Sequence, residues 1–513
     1  MGTSSLFVTF ACGVLCILVL LVLRFRPGGT SRLPTPPGPR ISWFGASFLP
    51  KTTPWLTYAQ WKNTYGDLVY FTIFGRKILV LNSAKATHDL LDNQSSVFSC
   101  RPHFIMSKEL MGWDWDITGM RYGKRLQEHR AMFNRHMNAQ EVAQFRHMQV
   151  KEAYKLLRAL SKRTEMTDPS SEIHQSITSN IMQIAYGHEV RDANDYYVSL
   201  AEDAILAIGR VVLHGAYMVE LVPILKHIPE WMPGAHFKRD AAEWRKATLA
   251  MINEPYLMAS GTATSCIITK ELEARPFSGS GGHHMVDEQV IRNVAGICYA
   301  AGVDTTSASI MTFFLAMLLH PEVQRRAQAE IDSVVGRDRI PNFSDRNILP
   351  FIDNIIWECA RWQPAAPLAM AHLSTEDVVY EGYAISKGTT ILPNTWSILH
   401  DPDVYPEPSV FKPERYEQQT GAQGLNPIPR QIFGYGRRAC PGRWFAFETM
   451  WLTFACVLSA YNISKVVNDD GTVMEPEIEY ETSVVSRPKA FPCCIKPRSP
   501  ALLSMLEAMN DDI

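Results

Sequence analysis

The chain has 513 residues, 46% of them hydrophobic, and its formal net charge is −2 at pH 7. This length permits two or three domains, and the apolar content is sufficient for a large core. A charge so close to zero argues against nucleic acid as a partner. The ten cysteines are scattered, without the CxxC spacing of a zinc site, which fits a reducing compartment.

An apolar segment near the N-terminus is long enough to cross a thin membrane. Residues 6–23 carry no charge, and a helix of this length spans about 27 Å, enough for the endoplasmic reticulum bilayer. Arg24 and Arg26 follow, so the positive-inside rule leaves the rest of the chain in the cytosol. A cleaved signal peptide is the alternative, but the long apolar core and the uncharged start favour an uncleaved anchor.

A proline-rich stretch follows this segment. Leu33-Pro34-Thr35-Pro36-Pro37-Gly38-Pro39 is typical of a stiff, extended spacer. No internal repeat or long low-complexity tract interrupts the residues beyond it. We therefore predict an anchor with its basic flank at 1–26, a hinge at 27–40 and a single folded domain at 41–513.

The patterns beyond the hinge predict a mainly α fold with a small β lobe near the N-terminus. Leu68–Ile73 and Lys77–Leu81 are strand-like runs on either side of Gly75-Arg76, which indicates a β-hairpin. Prolines and Trp231 at 222–233 are typical of a loop that dips into a membrane surface. Helical patterns dominate the remainder, at 140–160, 173–185, 199–212, 286–319 and from about residue 441 onward.

The helix predicted at 286–319 contains a polar interruption, Ala301-Gly302-Val303-Asp304-Thr305-Thr306. Its other residues suit a helix buried on most faces, where a glycine costs about 1 kcal/mol relative to alanine. Asp304 and Thr305 would also be poor core residues. One interpretation is a core helix with a polar flaw. The other is a helix opened at one point, so that a ligand and water lie against its backbone.

A later helical segment carries an acid and a base on one face. Glu358 and Arg361 are spaced i, i+3, where their side chains can pair. Most such pairs are solvated and contribute less than about 1 kcal/mol. Apolar neighbours such as Ile355 and Trp362 favour a buried or half-buried pair here.

The most informative segment reads Phe433-Gly434-Tyr435-Gly436-Arg437-Arg438-Ala439-Cys440-Pro441-Gly442. A thiolate that holds a metal needs backbone N–H groups close to its sulfur, and glycines let the backbone come that close. A helix that begins just beyond Cys440 would also direct its N-terminal dipole at the thiolate. The alternative is a buried structural cysteine beside a turn.

This segment resembles the haem loop of the cytochrome P450 family, Phe-x-x-Gly-x-Arg-x-Cys-x-Gly, and matches it at every fixed position. The resemblance implies the cytochrome P450 fold and a haem b with Cys440 as its axial thiolate ligand and Gly442 in the cofactor-binding loop. It also implies that Arg438 pairs with a haem propionate and that Phe433 packs against the sulfur. Thiolate ligation of haem iron favours O–O cleavage.

Residues 301–306 look like the oxygen-binding groove of the same family. This resemblance implies that Asp304 and Thr305 deliver protons during oxygen activation, because neither iron nor thiolate supplies them. Electrons would come from NADPH through a separate reductase, since the chain has no G-x-G-x-x-G after a strand and no second domain for a flavin.

The Glu358-x-x-Arg361 pair resembles a family motif that locks to an arginine in a downstream Pro-Glu-Arg segment. Here that segment is Pro413-Glu414-Arg415, at the expected distance before the cysteine. The implied role of Glu358, Arg361 and Arg415 is to scaffold the haem pocket.

The N-terminal half departs from the family pattern. Residues 122–130 align with its Tyr-Gly-x-x-Trp-x-x-x-Arg helix, whose Trp and Arg contact the propionates. Arg130 is present, but Leu126 occupies the Trp position and cannot donate a hydrogen bond, which predicts a weakened haem clamp. His372 falls where the family often places a basic residue against a propionate, and a structural histidine is the alternative.

The pocket walls of the family correspond here to apolar residues, each of which could also be ordinary core. The residues predicted to line the substrate pocket are Phe104, Trp113, Ala301, Ala366, Leu368 and Val484. A membrane-dipping loop at 222–233 would admit the substrate from lipid, which favours an apolar small molecule.

These features are similar to those of microsomal haem-thiolate monooxygenases, held in the endoplasmic reticulum by one span with a haem-binding catalytic domain in the cytosol. Residues 362–368 and 55–57 resemble fungal members that modify secondary metabolites, including terpenoids, polyketides and indoles. One alternative is a haem-thiolate isomerase or dehydratase that does not use O₂, although such members usually lose the acid and alcohol found at 304–305. Another is a non-catalytic haem-binding membrane protein.

Overall fold

The computed structural model describes residues 33–40, 50, 52–73, 75–162, 166–192, 194–214, 217–274, 287–417, 426–501 and 504–505. The predicted anchor at 1–26 lies outside these residues. Part of the predicted hinge is described, and it is hydrogen-bonded to two strands of the folded domain. The N–H of Tyr70 donates to the carbonyl of Pro37 at 2.8 Å, and that of Ala384 to the carbonyl of Pro34 at 2.8 Å. This part of the proline-rich stretch is therefore attached to the folded domain.

Helices dominate the described residues, which confirms the predicted fold class. The described ranges contain fifteen α-helices: α1 Pro54–Tyr65, α2 Ala84–Thr87, α3 Ser95–Phe98, α4 Lys124–Met137, α5 Arg146–Ser161, α6 Ser170–Tyr186, α7 Tyr196–His214, α8 Met218–Leu221, α9 His236–Ser260, α10 Ile267–Glu273, α11 Glu288–Leu319, α12 Pro321–Val334, α13 Pro350–Trp362, α14 Thr395–Leu399 and α15 Arg443–Ala460. Short 3₁₀ segments cover Glu141–Phe145, Pro223–His227, Phe343–Ile348, Pro413–Tyr416, Arg430–Phe433 and Gly436–Arg438, and π-helical turns cover His88–Asn93 and Ile105–Leu110.

The predicted helical segments are all found, with ends that differ by a few residues. The segment predicted at 140–160 divides into the 3₁₀ turn Glu141–Phe145 and α5. Local residues set several of the observed ends. The side chain of Asp287 accepts the N–H of Gln289 at 2.9 Å and caps α11. Pro321 and Pro350 occupy the first positions of α12 and α13, where their missing N–H costs nothing.

The β lobe is built from β1 Leu68–Ile73, β2 Arg76–Leu81, β3 His372–Leu373 and β6 Thr390–Pro393. The sheet order is β1-β2-β6-β3. β1 and β2 form the predicted antiparallel hairpin, β2 runs parallel to β6, and β6 pairs antiparallel with β3. The remaining strands form two separate ribbons, β4 Val378–Tyr380 with β5 Tyr383–Ile385 and β7 Tyr461–Ser464 with β8 Cys494–Pro497.

The core is organised around α11, which packs against α4, α6, α9, α13 and α15. Most of its side chains are buried, but Ala301, Asp304 and Thr305 keep partial exposure. The helix is continuous through this segment, so the expectation of an opened helix is wrong. Gly302 faces α6, and a Cβ there would lie 2.8 Å from Cδ1 of Ile181, the end of a side chain that can rotate away. The glycine therefore leaves room for Ile181 in its present rotamer.

One helix among the described residues, α11, is long and apolar enough to cross a membrane. Its apolar window is 72% buried within the protein, as expected of a core helix. The apolar segment at 6–23 lies outside the described residues, so the anchor stays a prediction.

Candidate active site

The cysteine loop, residues 433–442, is fixed to the preceding half of the chain at Gly436. The N–H of Gly436 donates to Oδ1 of Asp92 at 2.6 Å. Gly436 has a φ of +49°, and a Cβ there would overlap the carbonyl oxygen of Leu91. Only glycine combines this backbone conformation with so close a contact, so the position of the loop depends on this residue.

Cys440 is half-buried and lies directly before α15. Its N–H donates to the carbonyl of Phe433 at 2.6 Å. Burial raises the pKa of the thiol and outweighs the backbone N–H groups of Gly442 and Arg443 and the guanidinium groups of Arg130 and Arg443, which lower it. These donors and the N-terminal dipole of α15 favour a thiolate that serves as a ligand. The packing of the Phe433 ring against the sulfur stays a prediction.

Two buried arginines, Arg438 and Arg101, both bind the backbone of residues 117–120 and hold other backbone beside it. Each guanidinium donates three hydrogen bonds to carbonyl oxygens. The acceptors of Arg438 are Ser99 at 2.7 Å, Ile117 at 3.3 Å and Met120. The acceptors of Arg101 are Thr118 at 3.0 Å, Met370 at 2.7 Å and Ala371 at 2.8 Å.

Arg101, Arg130 and Arg438 form a cationic cluster, and His372 lies against it. Burial lowers the pKa of Arg101 to about 9 and that of Arg438 to about 10, and the charges of neighbouring arginines contribute in the same direction. Burial and the charges of Arg101 and Arg438 hold the pKa of His372 well below its ordinary value. Burial also lowers the pKa of Arg130. Within the described ranges, no side-chain carboxylate forms an ion pair with any of the three arginines.

This cationic cluster therefore needs negative charge, since buried cations are costly without a partner. Asp116 is the nearby acid, but its carboxylate already binds Lys108 at 3.0 Å and the backbone N–H groups of Thr118 and Gly119. A cofactor with two carboxylates and a metal at Cys440 would supply the missing charge. The residues present fit haem b, whose two propionates meet this requirement.

Arg101 was missed by the sequence analysis. Its segment, Phe98-Ser99-Cys100-Arg101-Pro102, contains one charged residue among small and apolar neighbours, which was the available signal. Its burial follows from contacts with residues far along the chain, including the carbonyl of Met370. His372 is held beside it by a hydrogen bond from Nδ1 to the carbonyl of Phe98 at 2.7 Å.

Helix α4 carries Arg130 and the leucine at the expected tryptophan position. Nη2 of Arg130 donates to the carbonyl of Ala439 at 2.8 Å and so links α4 to the cysteine loop. Leu126 is completely buried. His129, also buried, accepts a hydrogen bond at Nε2 from the amide of Asn293 at 3.0 Å. This bond between α4 and α11, which the sequence analysis missed, holds the helix that presents Arg130.

Asp304 and Thr305 lie on the partly exposed face of α11. Oγ1 of Thr305 donates to the carbonyl of Ala301 at 2.8 Å, one turn earlier. Oγ of Ser309 donates to the carbonyl of Thr305 at 2.9 Å. The carboxylate of Asp304 faces Nε2 of His174 on α6 at 3.8 Å. A hydroxyl and a carboxylate are thus adjacent on the face of α11 that is not sealed by packing.

Glu358 lies at the centre of a buried charged network. Nε and Nη2 of Arg361 donate to its two carboxylate oxygens at 2.8 Å each, a bidentate pair. Nε of Arg415 donates to Oε1 of Glu358 at 3.2 Å. The Tyr416 hydroxyl donates to Oε2 at 3.4 Å. The structure thus brings together the three residues expected to scaffold the pocket.

The six predicted pocket residues are spread over several elements. Phe104 is 40% exposed. Trp113 is buried and stacks on Trp115 with ring centroids 5.1 Å apart. The remaining four are partly exposed: Ala301, Ala366, Leu368 and Val484. Leu368 packs against the β-lobe cluster that contains Phe71. The grouping of these six around a substrate stays a prediction.

Comparisons with known proteins agree with this arrangement. The family model described as Cytochrome P450 matches residues 35–494. Cytochrome P450 monooxygenase 208 of Postia placenta is 38% identical over 99% of both chains. Tryptamine 4-monooxygenase of Psilocybe cyanescens is 36% identical over 95% of this chain and 97% of its own. A zebra fish cytochrome P450 structure with abiraterone has the same fold, with a TM-score of 0.71 at 23% identity over 87% of this chain and 100% of that chain.

The family match covers most of the chain, and the relatives are consistently described as monooxygenases. Membership of this family implies a haem with a cysteine thiolate ligand. The chain therefore belongs to the cytochrome P450 family and is a cytochrome P450 monooxygenase.

Proposed function

We propose that Cys440 holds haem b and that the protein uses O₂ to hydroxylate or epoxidise an apolar small molecule. The observation that carries this proposal is the cationic cluster beside Cys440, whose arginines lack a carboxylate partner among the described residues. Two propionates would complete the cluster. When bound, haem supplies the oxygen-activating chemistry of a thiolate-ligated iron.

The residues around Cys440 have distinct tasks in holding the cofactor. The N–H groups of Gly442 and Arg443 stabilise the thiolate, and Phe433 covers the sulfur. Arg130, His372 and Arg438, joined by Arg101, hold the propionates. Arginine suits this task because its planar fork of N–H donors matches a carboxylate. Glu358, Arg361 and Arg415 keep the pocket in shape from outside.

Asp304 and Thr305 supply protons to the reaction. The hydroxyl of Thr305 now donates to a backbone carbonyl, and rotation about χ1 can redirect its proton into the pocket. Asp304, the preceding residue, can then replace a proton taken from that hydroxyl. A positioned donor of this kind contributes about 10²-fold or more to a rate.

The substrate enters from the membrane and is apolar. Ile224 and Trp231 are 66% and 78% exposed, which suits a surface in contact with lipid. The span at 6–23 holds the catalytic domain on the cytosolic face of the endoplasmic reticulum. Electrons come from NADPH through cytochrome P450 reductase. The similarity to fungal monooxygenases, including a tryptamine 4-monooxygenase, supports a role in secondary metabolism on a terpenoid, polyketide or indole.

Co-expression with a cytochrome P450 reductase tests this proposal. Membranes are supplied with NADPH and a panel of terpenoid, polyketide and indole scaffolds, and products are followed by mass spectrometry. A gain of one oxygen atom, labelled when ¹⁸O₂ is used and dependent on NADPH, is expected. Cys440→Ala is the matched control without the ligand. A product that forms without O₂ would instead favour an isomerase.

A further inference from the structure

Asp304 faces a histidine on a neighbouring helix. Nε2 of His174 on α6 lies 3.8 Å from Oδ1 of Asp304. The other ring nitrogen, Nδ1, lies 3.8 Å from Oε1 of Glu202 on α7. The exposed fraction of these side chains rises from 27% for Asp304 through 29% for His174 to 47% for Glu202. The imidazole therefore bridges two carboxylates, and the series runs from the core helix towards solvent.

The packing of α6 against α11 fixes this geometry. His174 and Ile181 are seven residues apart, which is about two helical turns, so both lie on the same face of α6. Ile181 occupies the space left by Gly302, two residues before Asp304. This contact between Ile181 and α11 therefore places the same face of α6, with His174, beside Asp304.

The other ionisable groups around this contact are mainly acidic or phenolic. The charges of Glu202, Asp304 and Asp195 act on Tyr299 of α11, which places all three near it. Asp195 is already paired with His188 at 2.7 Å. In the part of the chain that the structure describes, His174 is the basic side chain within ion-pair distance of Asp304.

We propose that His174 is a positioning residue that brings protons to Asp304 from solvent by way of Glu202. The inference rests on the proton-supplying role proposed above for Asp304. In each transfer, Nε2 of His174 gives one proton to Oδ1 of Asp304, Nδ1 takes one proton from the carboxyl group of Glu202, and Glu202 takes one from solvent. Rotation of the imidazole ring then returns its proton to the side of Asp304. Imidazole suits this task because its two nitrogens exchange protons near neutral pH. Separations of 3.8 Å exceed a direct hydrogen bond, so a bridging water or a small rotation closes each step.

The variant His174→Gln tests the inference, because glutamine keeps a polar side chain but cannot relay a proton. With NADPH and reductase, we expect product formation to fall by about tenfold. More NADPH should end as hydrogen peroxide, and the solvent deuterium isotope effect on turnover should increase. Hydrogen peroxide used as the sole oxidant already carries the two electrons and two protons of reduced O₂. The variant should therefore regain nearly wild-type yield with hydrogen peroxide.

Two further variants and one measurement without turnover sharpen the test. His188→Gln is the matched control, since this histidine pairs with Asp195, and it should retain wild-type coupling of NADPH to product. Glu202→Gln should cause a smaller loss in the same direction as His174→Gln. In thermal unfolding of the haem-bound protein, the Tm shifts of His174→Gln and Asp304→Asn should not add in the double variant, because both remove the same contact.

Each outcome decides something different. Wild-type coupling in His174→Gln, together with an impaired Asp304→Asn, would overturn this inference and leave the proposed function standing. An unimpaired Asp304→Asn would remove the role of Asp304 and this inference with it. Equal losses with NADPH and with hydrogen peroxide would mean that His174 only supports the fold.

Discussion

Replacing Arg101 with methionine should show separately what its buried charge costs the haem-free protein in stability and what it contributes to haem binding. The side chain is 6% exposed, and its guanidinium donates three hydrogen bonds to backbone carbonyls. Methionine fills a similar volume without a charge. Without haem, the change removes a buried charge, whereas with haem it removes a propionate partner. The haem-free protein should therefore change little in stability, whereas the haem-bound protein should lose haem more readily.

The magnitudes follow from the contacts of Arg101. Burial lowers its pKa from 12.5 to about 9, and each pKa unit corresponds to about 1.36 kcal/mol, so the buried charge costs roughly 5 kcal/mol. Each of the three hydrogen bonds comes from a charged donor, and its loss costs about 1.5 kcal/mol at the low end of the usual range. The two contributions nearly cancel, so the free energy of unfolding of the haem-free variant should stay within about 2 kcal/mol of the wild-type value. The haem-bound variant loses a charged hydrogen bond of about 1.5–3 kcal/mol, which should speed haem release about 10- to 150-fold.

Urea unfolding of the haem-free protein measures the first quantity, and haem transfer to excess apomyoglobin measures the second. Arg101→Lys is the matched control, because it keeps the charge and should release haem more slowly than Arg101→Met. Unchanged haem release in Arg101→Met would mean that Arg101 does not face a propionate. A haem-free variant destabilised by more than about 2 kcal/mol would mean that burial of the charge costs far less than its pKa indicates.

Three other predictions test separate parts of the site and the fold. Cys440→Ala should abolish the red-shifted Soret band that a thiolate-ligated haem shows with carbon monoxide, and an unchanged spectrum would contradict the ligand assignment. Thr305→Ala should bind haem normally but divert NADPH to hydrogen peroxide, and Asp304→Asn should slow turnover by about 10²-fold. Fully coupled turnover in both variants would place the proton supply elsewhere. Burial lowers the pKa of His400 from 6.5 to about 3. As the pH falls, this imidazole is therefore protonated in the unfolded chain before it is protonated in the folded protein. The free energy of unfolding should therefore decrease from pH 6.5 down to about 3, and urea titrations should show a shallower decrease for His400→Gln; equal slopes would refute this.

The parts of the fold that could be predicted from the sequence are those set by neighbouring residues. The hairpin follows from Gly75-Arg76 between two strand-like runs. α11 and α15 follow from long apolar patterns. The other two strands of the sheet, β6 and β3, join β2 from beyond α11 in the chain. No local pattern specifies such a pairing, because its partners meet only after the helices between them have packed.

The candidate site likewise contains residues that local sequence patterns identify and residues that they do not. The cysteine loop and the Glu358 pair carry recognisable spacings, so their residues could be named in advance. The local sign of Arg101 is weak, a single charge among small and apolar neighbours, because residues that bury it, such as Met370, are far along the chain. Gly302 suggested an opening in its own helix, but the helix is continuous there and the glycine faces Ile181 on another helix. His174 lies beside Asp304 only when α6 packs against α11, so the sequence alone does not indicate this contact.

The cationic cluster joins residues that are synthesised far apart in time. Arg438 binds the carbonyl of Ser99, 339 positions earlier, and Arg130 binds the carbonyl of Ala439 across 309 positions. A ribosome must therefore pass residue 438 of 513 before the arginines can share a ligand. Until then the nascent chain exposes apolar surface that is not yet buried, and chaperones and proteases recognise such surface. Because a ligand that binds only the folded state raises its population, the supply of haem at the end of synthesis should govern how much of the chain survives.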